Sequence, residues 1–301
     1  MKFIIPVESM VQNLGGVILY DPIKNIILKQ YVHDKKWTRV GWRGGKIFED
    51  IFITTDWNAI HYFDIKKWEY IKTFDHSSFN DLHYIDIKKN KLFVVNTGID
   101  AIEIFKNPMN PKLINRIFLF EKNPTIFDKR KININKKYNT LMKQKPHSAH
   151  PNCIAFKNKQ IFVTCFGKKQ KHNTGEVINL LTGKKILKKC FDCHDGVFYE
   201  NDFYLTWTRH ATILKFNNLL NKKDLVIPDK KIKIGSRGWW RGMIINENII
   251  YVFASDGYKK KKTTTRMTTI NLKNDTRTTC KLPIVDNIYW DTIYQPNLWK
   301  K

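Results

Sequence analysis

One phrase of strand, polar turn and strand recurs along the chain, and this repeat constrains the fold more than any other feature. Copies begin near Arg43, His83, His150, His194 and Arg241. Each copy continues into a third strand with a polar end, such as "FDIKKW" or "INLKND", and then into a fourth strand. Four strands in a period of roughly 40 to 50 residues are typical of one blade of a β-propeller.

The two ends of the chain supply one further repeat between them. "NIYWDTIYQPN", which includes Asp291, resembles the first strand of a repeat, but only a few residues follow it. Residues 16–33 supply later strands with no first strand before them. Joining the two ends closes a ring, so we predict an all-β fold, a six-bladed β-propeller whose last blade combines a C-terminal inner strand with N-terminal strands.

The domain organisation follows from the spacing of the repeats. The start points at 43, 83, 150, 194, 241 and 291 are separated by 40, 67, 44, 47 and 50 residues. The long second interval indicates an insertion. We therefore predict a single domain over residues 1–301 with an insertion at about residues 106–146 that contains a short helix and caps one face.

A pair of β-sandwiches is the main alternative fold, because it also gives many short strands separated by turns. A sandwich requires neither a repeated phrase at this spacing nor two termini that complete each other. The pattern favours the propeller, with five or seven blades as the neighbouring alternatives.

Polar residues recur at the start of the inner strands, where the blades of a propeller converge on its axis. Three consecutive repeats offer a histidine there: His83, His150 and His194. A single histidine at a strand end is usually structural, but three imidazoles that meet at one point suit a divalent transition metal such as Fe, Zn or Mn. We predict that these histidines hold the metal and that His147 is a further possible ligand.

Other residues near this mouth predict how a substrate is bound and processed. Asp195 and Asp291 are candidate proton-transfer groups. Arg43 and Arg241 lie in the repeats on either side of the histidines, and a guanidinium group suits a carboxylate or phosphate. With Asn152 and Trp240 they form the predicted substrate-binding set. The alternative role of the two arginines is to brace neighbouring blades by stacking on tryptophan.

The remaining histidines and one cysteine motif are interpreted without a catalytic role. His33, His61, His76, His172 and His210 fall in outer strands or loops, so we expect them at the surface. "CFDCH" at 190–194 matches the haem attachment pattern C-x-x-C-H. Covalent haem needs an exported, oxidising assembly route, which the N-terminal sequence does not indicate.

The formal net charge of +26 raises the possibility of a polyanionic partner, such as nucleic acid or an anionic glycan. Only nine of the 53 basic residues are arginine, and the lysines are spread over many turns. This distribution favours a solvated, compositionally biased surface.

Location and assembly are predicted from what the sequence contains. The first residues, "MKFIIPVESM", lack the apolar core of a signal peptide, and no apolar stretch is long enough to span a membrane. Five cysteines fit a reducing compartment better than a disulfide framework. We expect a cytoplasmic monomer.

The inner strands that begin with histidine or arginine also carry a resemblance. "DLHYIDIKKNKLFVVNTG", "PHSAHPNCIAF", "CHDGVF" and "RGWWRGM" resemble an uncharacterised group of bacterial six-bladed propellers, broadly similar to gluconolactonase- and paraoxonase-like proteins. The resemblance implies the architecture. The gluconolactonase-like enzymes hold a divalent cation, usually calcium, with carboxylate and amide ligands, whereas histidines occupy the matching places here.

Together these features predict a metal-dependent enzyme, a hydrolase, lyase or oxygenase that acts on a small anionic metabolite. The alternative is a non-catalytic basic propeller that binds nucleic acid, anionic glycan or protein partners.

Overall fold

The computed structural model describes most of the chain. The described residues are 1–9, 12, 14–33, 41–119, 137, 149–166, 175–188, 192–221, 227–235, 238–255, 264–283, 292–293 and 295–300. They are dominated by β-strands, with short 3-10 turns at Thr97–Ile99, Thr208–His210 and Leu219–Asn221.

The strands form six antiparallel sheets, and each is one blade of a propeller. The chain starts with β1 (Lys2–Ser9), β2 (Leu14–Asp21) and β3 (Ile26–His33). Blade 1 contains β4 (Arg43–Phe48), β5 (Ile51–Thr55), β6 (Ala59–Asp64) and β7 (Glu69–Asp75). Blade 2 contains β8 (Leu82–Lys88), β9 (Lys91–Asn96), β10 (Ala101–Lys106) and β11 (Lys112–Phe118). Blade 3 contains β12 (Pro151–Lys157), β13 (Gln160–Cys165), β14 (Glu176–Asn179) and β15 (Lys185–Lys188).

The second half of the chain repeats the arrangement and then completes the ring. Blade 4 contains β16 (Cys193–Tyr199), β17 (Asp202–Trp207), β18 (Thr212–Phe216) and β19 (Lys230–Lys233). Blade 5 contains β20 (Trp239–Asn246), β21 (Ile249–Ser255), β22 (Arg266–Asn271) and β23 (Arg277–Lys281). The closing blade contains β24 (Thr292–Ile293) and β25 (Asn297–Trp299), followed outward by β1, β2 and β3. The predicted six-bladed propeller is confirmed, and each observed inner strand begins within two residues of its predicted start.

Ring closure depends on strand β1, which pairs with both ends of the chain. On one side it pairs with β2, and on the other with β24 through Val7 and Glu8 and with β25 through Lys2 to Ile4. Pro6, which has no N–H to donate, lies between these two inner segments, where the inner pairing is interrupted. The sequence prediction began this blade at residue 16 and did not include β1.

Apolar side chains fill the spaces between the blades. The described residues form six hydrophobic clusters, and each lies between two neighbouring sheets. One cluster joins blade 5 to the closing blade and another joins the closing blade to blade 1, so both faces of the closing blade are covered. This explains why β1 is apolar on both sides, with buried residues from Phe3 to Val7.

The predicted insertion begins with regular structure. Its residues 112–118 form β11, the outermost strand of blade 2. The expected helix falls in residues 120–136 and 138–148, which lie outside the described residues.

Arg43 connects three neighbouring blades: the closing blade, blade 1 and blade 2. Its Nη1 donates to Asp81 Oδ1 at 2.9 Å, and its Nη2 lies 3.6 Å from Glu8 Oε1. The guanidinium also stacks on Trp57, with 4.5 Å between Cζ and the ring centroid. Arg43, Asp81 and Glu8 are each at most 4% exposed. A buried charge depends strongly on such partners.

We expect Arg43→Leu to lower the free energy of unfolding by about 3 to 5 kcal/mol, because it leaves two buried carboxylates without their cation. Lys230→Leu is the matched control, since Lys230 and Asp275 form an exposed ion pair between blades 4 and 5. The control should cost at most about 1 kcal/mol. Urea denaturation measures both values, and equal losses would contradict the bracing role of Arg43.

Candidate functional site

A β-bulge recurs at the start of the inner strands, at the mouth of the propeller. Near its start, each of the five inner strands β4, β8, β12, β16 and β20 has one more residue than its neighbouring strand. The bulged residues are Gly44, His83, Asn152, the pair His194–Asp195 and Gly242. A bulge breaks the alternation of side chains and re-aims one of them. Three consecutive blades therefore direct a polar side chain from the same structural position.

The register corrects the predicted alignment of His150. The residue equivalent to His83 and His194 is Asn152, whereas His150 lies two residues earlier, at the position of Asp81 and Asp192. These three earlier residues share a left-handed backbone, with φ values of 51° for His150, 54° for Asp81 and 67° for Asp192. The sequence alignment missed this because it could not locate the bulge.

The three predicted histidines nevertheless meet at the mouth. The ring of His83 lies 5.1 Å from the ring of His150 and 6.2 Å from the ring of His194, measured between centroids. They come from blades 2, 3 and 4. His83 and His194 are buried, at 8% and 6% exposure, and His150 is half-buried.

Contacts with Asp81 orient His83. Its Nδ1 donates to the backbone oxygen of Asp81 at 2.9 Å and lies 3.8 Å from the Asp81 carboxylate. Burial lowers the pKa of His83 well below 6.5, and the Asp81 carboxylate opposes this shift only in part. The imidazole is therefore neutral near pH 7, with its lone pair on Nε2.

Asp195 orients His194 in a similar way. His194 Nδ1 donates to Asp195 Oδ1 at 3.3 Å, while the other carboxylate oxygen accepts from Thr206 Oγ1 at 3.1 Å and from the Gly242 N–H at 2.9 Å. Burial and the nearby Arg241 guanidinium lower the pKa of His194 to about 4. Its Nε2 is buried, and no described residue makes a hydrogen bond to it.

Asn152 presents a second buried acceptor. Its Nδ2 donates to the Cys193 backbone oxygen at 3.2 Å, and Asn152 is only 2% exposed. No described residue donates to its Oδ1, which is also buried. A buried carbonyl oxygen without a hydrogen bond lowers the stability of the folded protein. The Asn152 Oδ1 atom is therefore the polar atom of this site that most needs a partner.

Asp100 positions His150, and the sequence analysis missed it. Its Oδ1 accepts from the N–H groups of Ala149 and His150 at 3.0 and 2.8 Å. Asp81 was also missed. The signal for Asp81 was present, since "DLH" and "DCH" both place an aspartate two residues before a histidine of the site.

The predicted substrate-binding residues separate into two groups. Arg43 has the bracing contacts described above, and Trp240 is 1% exposed inside the cluster between blades 4 and 5. Both contact sets are those of structural residues. Arg241 is half-buried, stacks on Trp239 at 5.2 Å and lies close enough to lower the pKa of His194.

Two predicted site residues, His147 and Asp291, lie outside the described residues. Among the residues that are described, no three His, Cys, Asp or Glu side chains are arranged, as they stand, to hold a metal ion. The three histidine rings therefore lie close to one another, but their nitrogen atoms do not point to a common position.

The expectation that His33 and His61 lie at the surface is wrong. They are 4% and 3% exposed, and both pack around the buried ring of Trp42 at centroid distances of 5.4 and 5.2 Å. His61 Nε2 lies 3.0 Å from Asp56 Oδ2. Packing between the closing blade and blade 1 buries them, which no single-strand pattern reveals. His76 is half-buried and His210 is exposed, while His172 lies outside the described part.

The sheets define a six-bladed β-propeller, and solved structures of similar shape agree with that fold. A chain in the crystal structure of a nidogen/laminin complex matches with a TM-score of 0.63 and 9% identity, covering 98% of this chain and 97% of that one. A protein of unknown function from Bacteroides caccae matches with a TM-score of 0.64 and 10% identity over the same shares. At such identities the likeness shows the fold alone.

The sequence comparisons add no family to this class. No protein-family model matches the chain. No curated protein matches its sequence. The resemblance to gluconolactonase- and paraoxonase-like proteins therefore stays a prediction. Within the described residues, no helix is long and apolar enough to cross a membrane.

The low pKa of His194 predicts how stability depends on pH. Below pH 6.5 the unfolded chain protonates this imidazole, whereas the folded protein does so only near pH 4. The unfolded state then binds more protons, so the free energy of unfolding should fall as the pH drops through this window, by roughly 3 kcal/mol from this group.

Urea denaturation of chelator-treated protein at about pH 7 and about pH 4.5 tests this expectation. His194→Gln should reduce the difference between the two pH values by the contribution of His194, because glutamine does not titrate. An unchanged difference in the variant would contradict a buried, neutral His194.

Proposed function

We propose that the axial mouth is a metal centre held by His83, His150 and His194, and that it acts on a small anionic metabolite. The observation that carries the proposal is the contact of three imidazole rings supplied by three consecutive blades.

The donor set fits a transition metal. Zn–N bonds of about 2.1 Å place the centroids of neighbouring imidazole ligands roughly 5 Å apart in tetrahedral geometry, and the observed spacings are 5.1 and 6.2 Å. Metal ligation requires neutral imidazoles, and burial keeps His83 and His194 neutral. The buried Nε2 of His194 has no described hydrogen-bond partner and supplies a lone pair. Metal binding at this cluster requires the rings to turn so that their nitrogens point to one centre.

One carboxylate and one backbone oxygen hold the Nδ1 side of His194 and His83. Asp195 and the backbone oxygen of Asp81 each accept from an Nδ1–H, which fixes the tautomer and leaves Nε2 as the ligand atom. Because Asp195 already accepts three hydrogen bonds, we assign it a positioning role. A metal bound here would act as a Lewis acid that polarises a substrate oxygen or lowers the pKa of a bound water.

Arg241 is the group that would hold the anion. Its guanidinium lies near His194 and stacks on Trp239, which limits its freedom. A guanidinium held in this way can bind a carboxylate or phosphate through two parallel hydrogen bonds. The small distance between the rings of His83 and His194 favours a small substrate. We propose a cytoplasmic monomer, consistent with Cys153 and Cys280 remaining as thiols.

Elemental analysis of the purified protein should find close to one Fe, Zn or Mn per chain. We expect His194→Ala to reduce this content at least tenfold, since it removes one of three ligands. His210→Ala is the matched control, because His210 is an exposed histidine of the same blade. A wild-type protein without metal, or a His194→Ala variant that retains it, would overturn the metal centre.

The competing function is that of a basic disc for polyanions. Its support is the row of exposed lysines on β19, the outer strand of blade 4, which includes Lys231 and Lys233. If the metal centre is the functional site, binding of duplex DNA should be only non-specific, with a Kd of about 10⁻⁴ to 10⁻⁶ M at physiological salt. Tighter, salt-sensitive binding that survives His194→Ala would favour the disc.

A further inference from the structure

Two aromatic rings are stacked at the surface of blade 4. Trp207 is the last residue of β17, and His210 lies in the 3-10 turn that follows. Their ring centroids are 3.7 Å apart. The backbone oxygen of His210 accepts from Thr212 Oγ1 at 2.8 Å, which holds the turn in place. Trp207 is half-buried and His210 is exposed, so an imidazole with a firm support faces the solvent.

The turn itself does not require a histidine at this position. Blade 2 has the same element, a 3-10 turn at Thr97–Ile99 that is followed by a residue with a left-handed backbone, as in blade 4. There the residue equivalent to His210 is Ile99, which is only 1% exposed. An apolar residue that packs inward thus suffices for the backbone. The exposed ring of His210 is therefore available for another role.

Two lysines lie on the same face of blade 4 as Trp207. In the register of the sheet, Trp207 lies opposite Thr212, and Thr212 lies opposite Lys233. Residues directly opposite each other point to the same side of a sheet, and Lys231, two residues along the strand, shares that side. Lys231 Nζ lies 5.8 Å from the centroid of the Trp207 ring. Both lysines are exposed, and neither forms an ion pair with a described residue.

We infer that this patch of Trp207, His210, Lys231 and Lys233 binds single-stranded nucleic acid. A base stacks on the exposed imidazole, and the two lysines contact the neighbouring phosphates. The bases of a duplex are stacked on each other and cannot reach the ring, so the patch selects single strands. The net charge of +26 adds a long-range attraction for the same ligand. The patch shares no residue with the proposed metal centre and does not depend on it.

Fluorescence anisotropy with a labelled oligothymidylate of about 12 nucleotides tests the stacking contact. An abasic oligonucleotide with the same number of phosphates should bind about tenfold more weakly, because it has no base to stack. His210→Ala should weaken binding of the oligothymidylate by about tenfold, and His210→Phe should restore it, since a phenyl ring also stacks. Neither variant should change the affinity for the abasic strand.

Lys231→Ala tests the phosphate contact. The slope of log Kd against log salt concentration should fall by about 0.7, the value for one phosphate on a single strand. Lys230→Ala is the matched control, because Lys230 carries the same charge on the same strand but pairs with Asp275 of blade 5. This control should leave the slope unchanged.

The possible results separate this inference from the metal centre. Equal affinity for the two oligonucleotides, or an unchanged affinity in His210→Ala, would overturn the stacking role and indicate a non-specific attraction of phosphates. Equal changes of slope in Lys231→Ala and Lys230→Ala would overturn the placement of the strand on this face. Base-dependent binding that is lost in His210→Ala and kept in His194→Ala supports the inference, whether or not the protein contains metal.

Discussion

Closure of the ring is the constraint on which the rest of the structure depends. Each blade has two apolar faces, so an open row of sheets would leave one face of each end blade in water. The chain avoids this by pairing β1 with both β2 and the C-terminal segments β24 and β25. The closing blade then contributes to two of the six inter-blade clusters. The same closure brings the inner strands to one axis, and without it the three histidines would have no common point.

The mouth is built from a β-bulge that recurs in the inner strands of the first five blades. A regular antiparallel strand alternates its side chains, so residues two apart share a face. The bulges at His83, Asn152 and His194 interrupt that alternation at the strand ends, where the blades are closest to the axis. Gly44 occupies the equivalent place in blade 1, where a Cβ would lie 2.9 Å from the backbone oxygen of His83. Blade 1 therefore packs closely against blade 2 at this position, while blades 2 to 4 contribute the polar side chains.

The sequence predicted the number of blades and the histidine trio because both depend on a repeat that can be counted. Inner strands were located within two residues from the phrase alone. The register of His150 was not predictable in this way, because a bulge adds one residue without changing composition. The burial of His33 and His61 depends on contact with Trp42 across two blades, and the bracing of Arg43 depends on Glu8 and Asp81, which lie far from it in sequence. Such contacts form only after the ring has closed.

The positive surface charge and the residues of the mouth lie in different electrostatic environments. Exposed lysines such as Lys231 and Lys233 lie on the outer strands, where salt screens interactions beyond about 10 Å at 0.1 M ionic strength. At the mouth, Asp81, Asp100 and Asp195 are at most 4% exposed, and each is held by hydrogen bonds to nearby groups. The protonation of His83 and His194 is set by burial and by these neighbours, with little influence from the distant surface. Changes in salt should therefore act on the outer surface far more than on the axial cluster, so the two proposed functions respond to different variables.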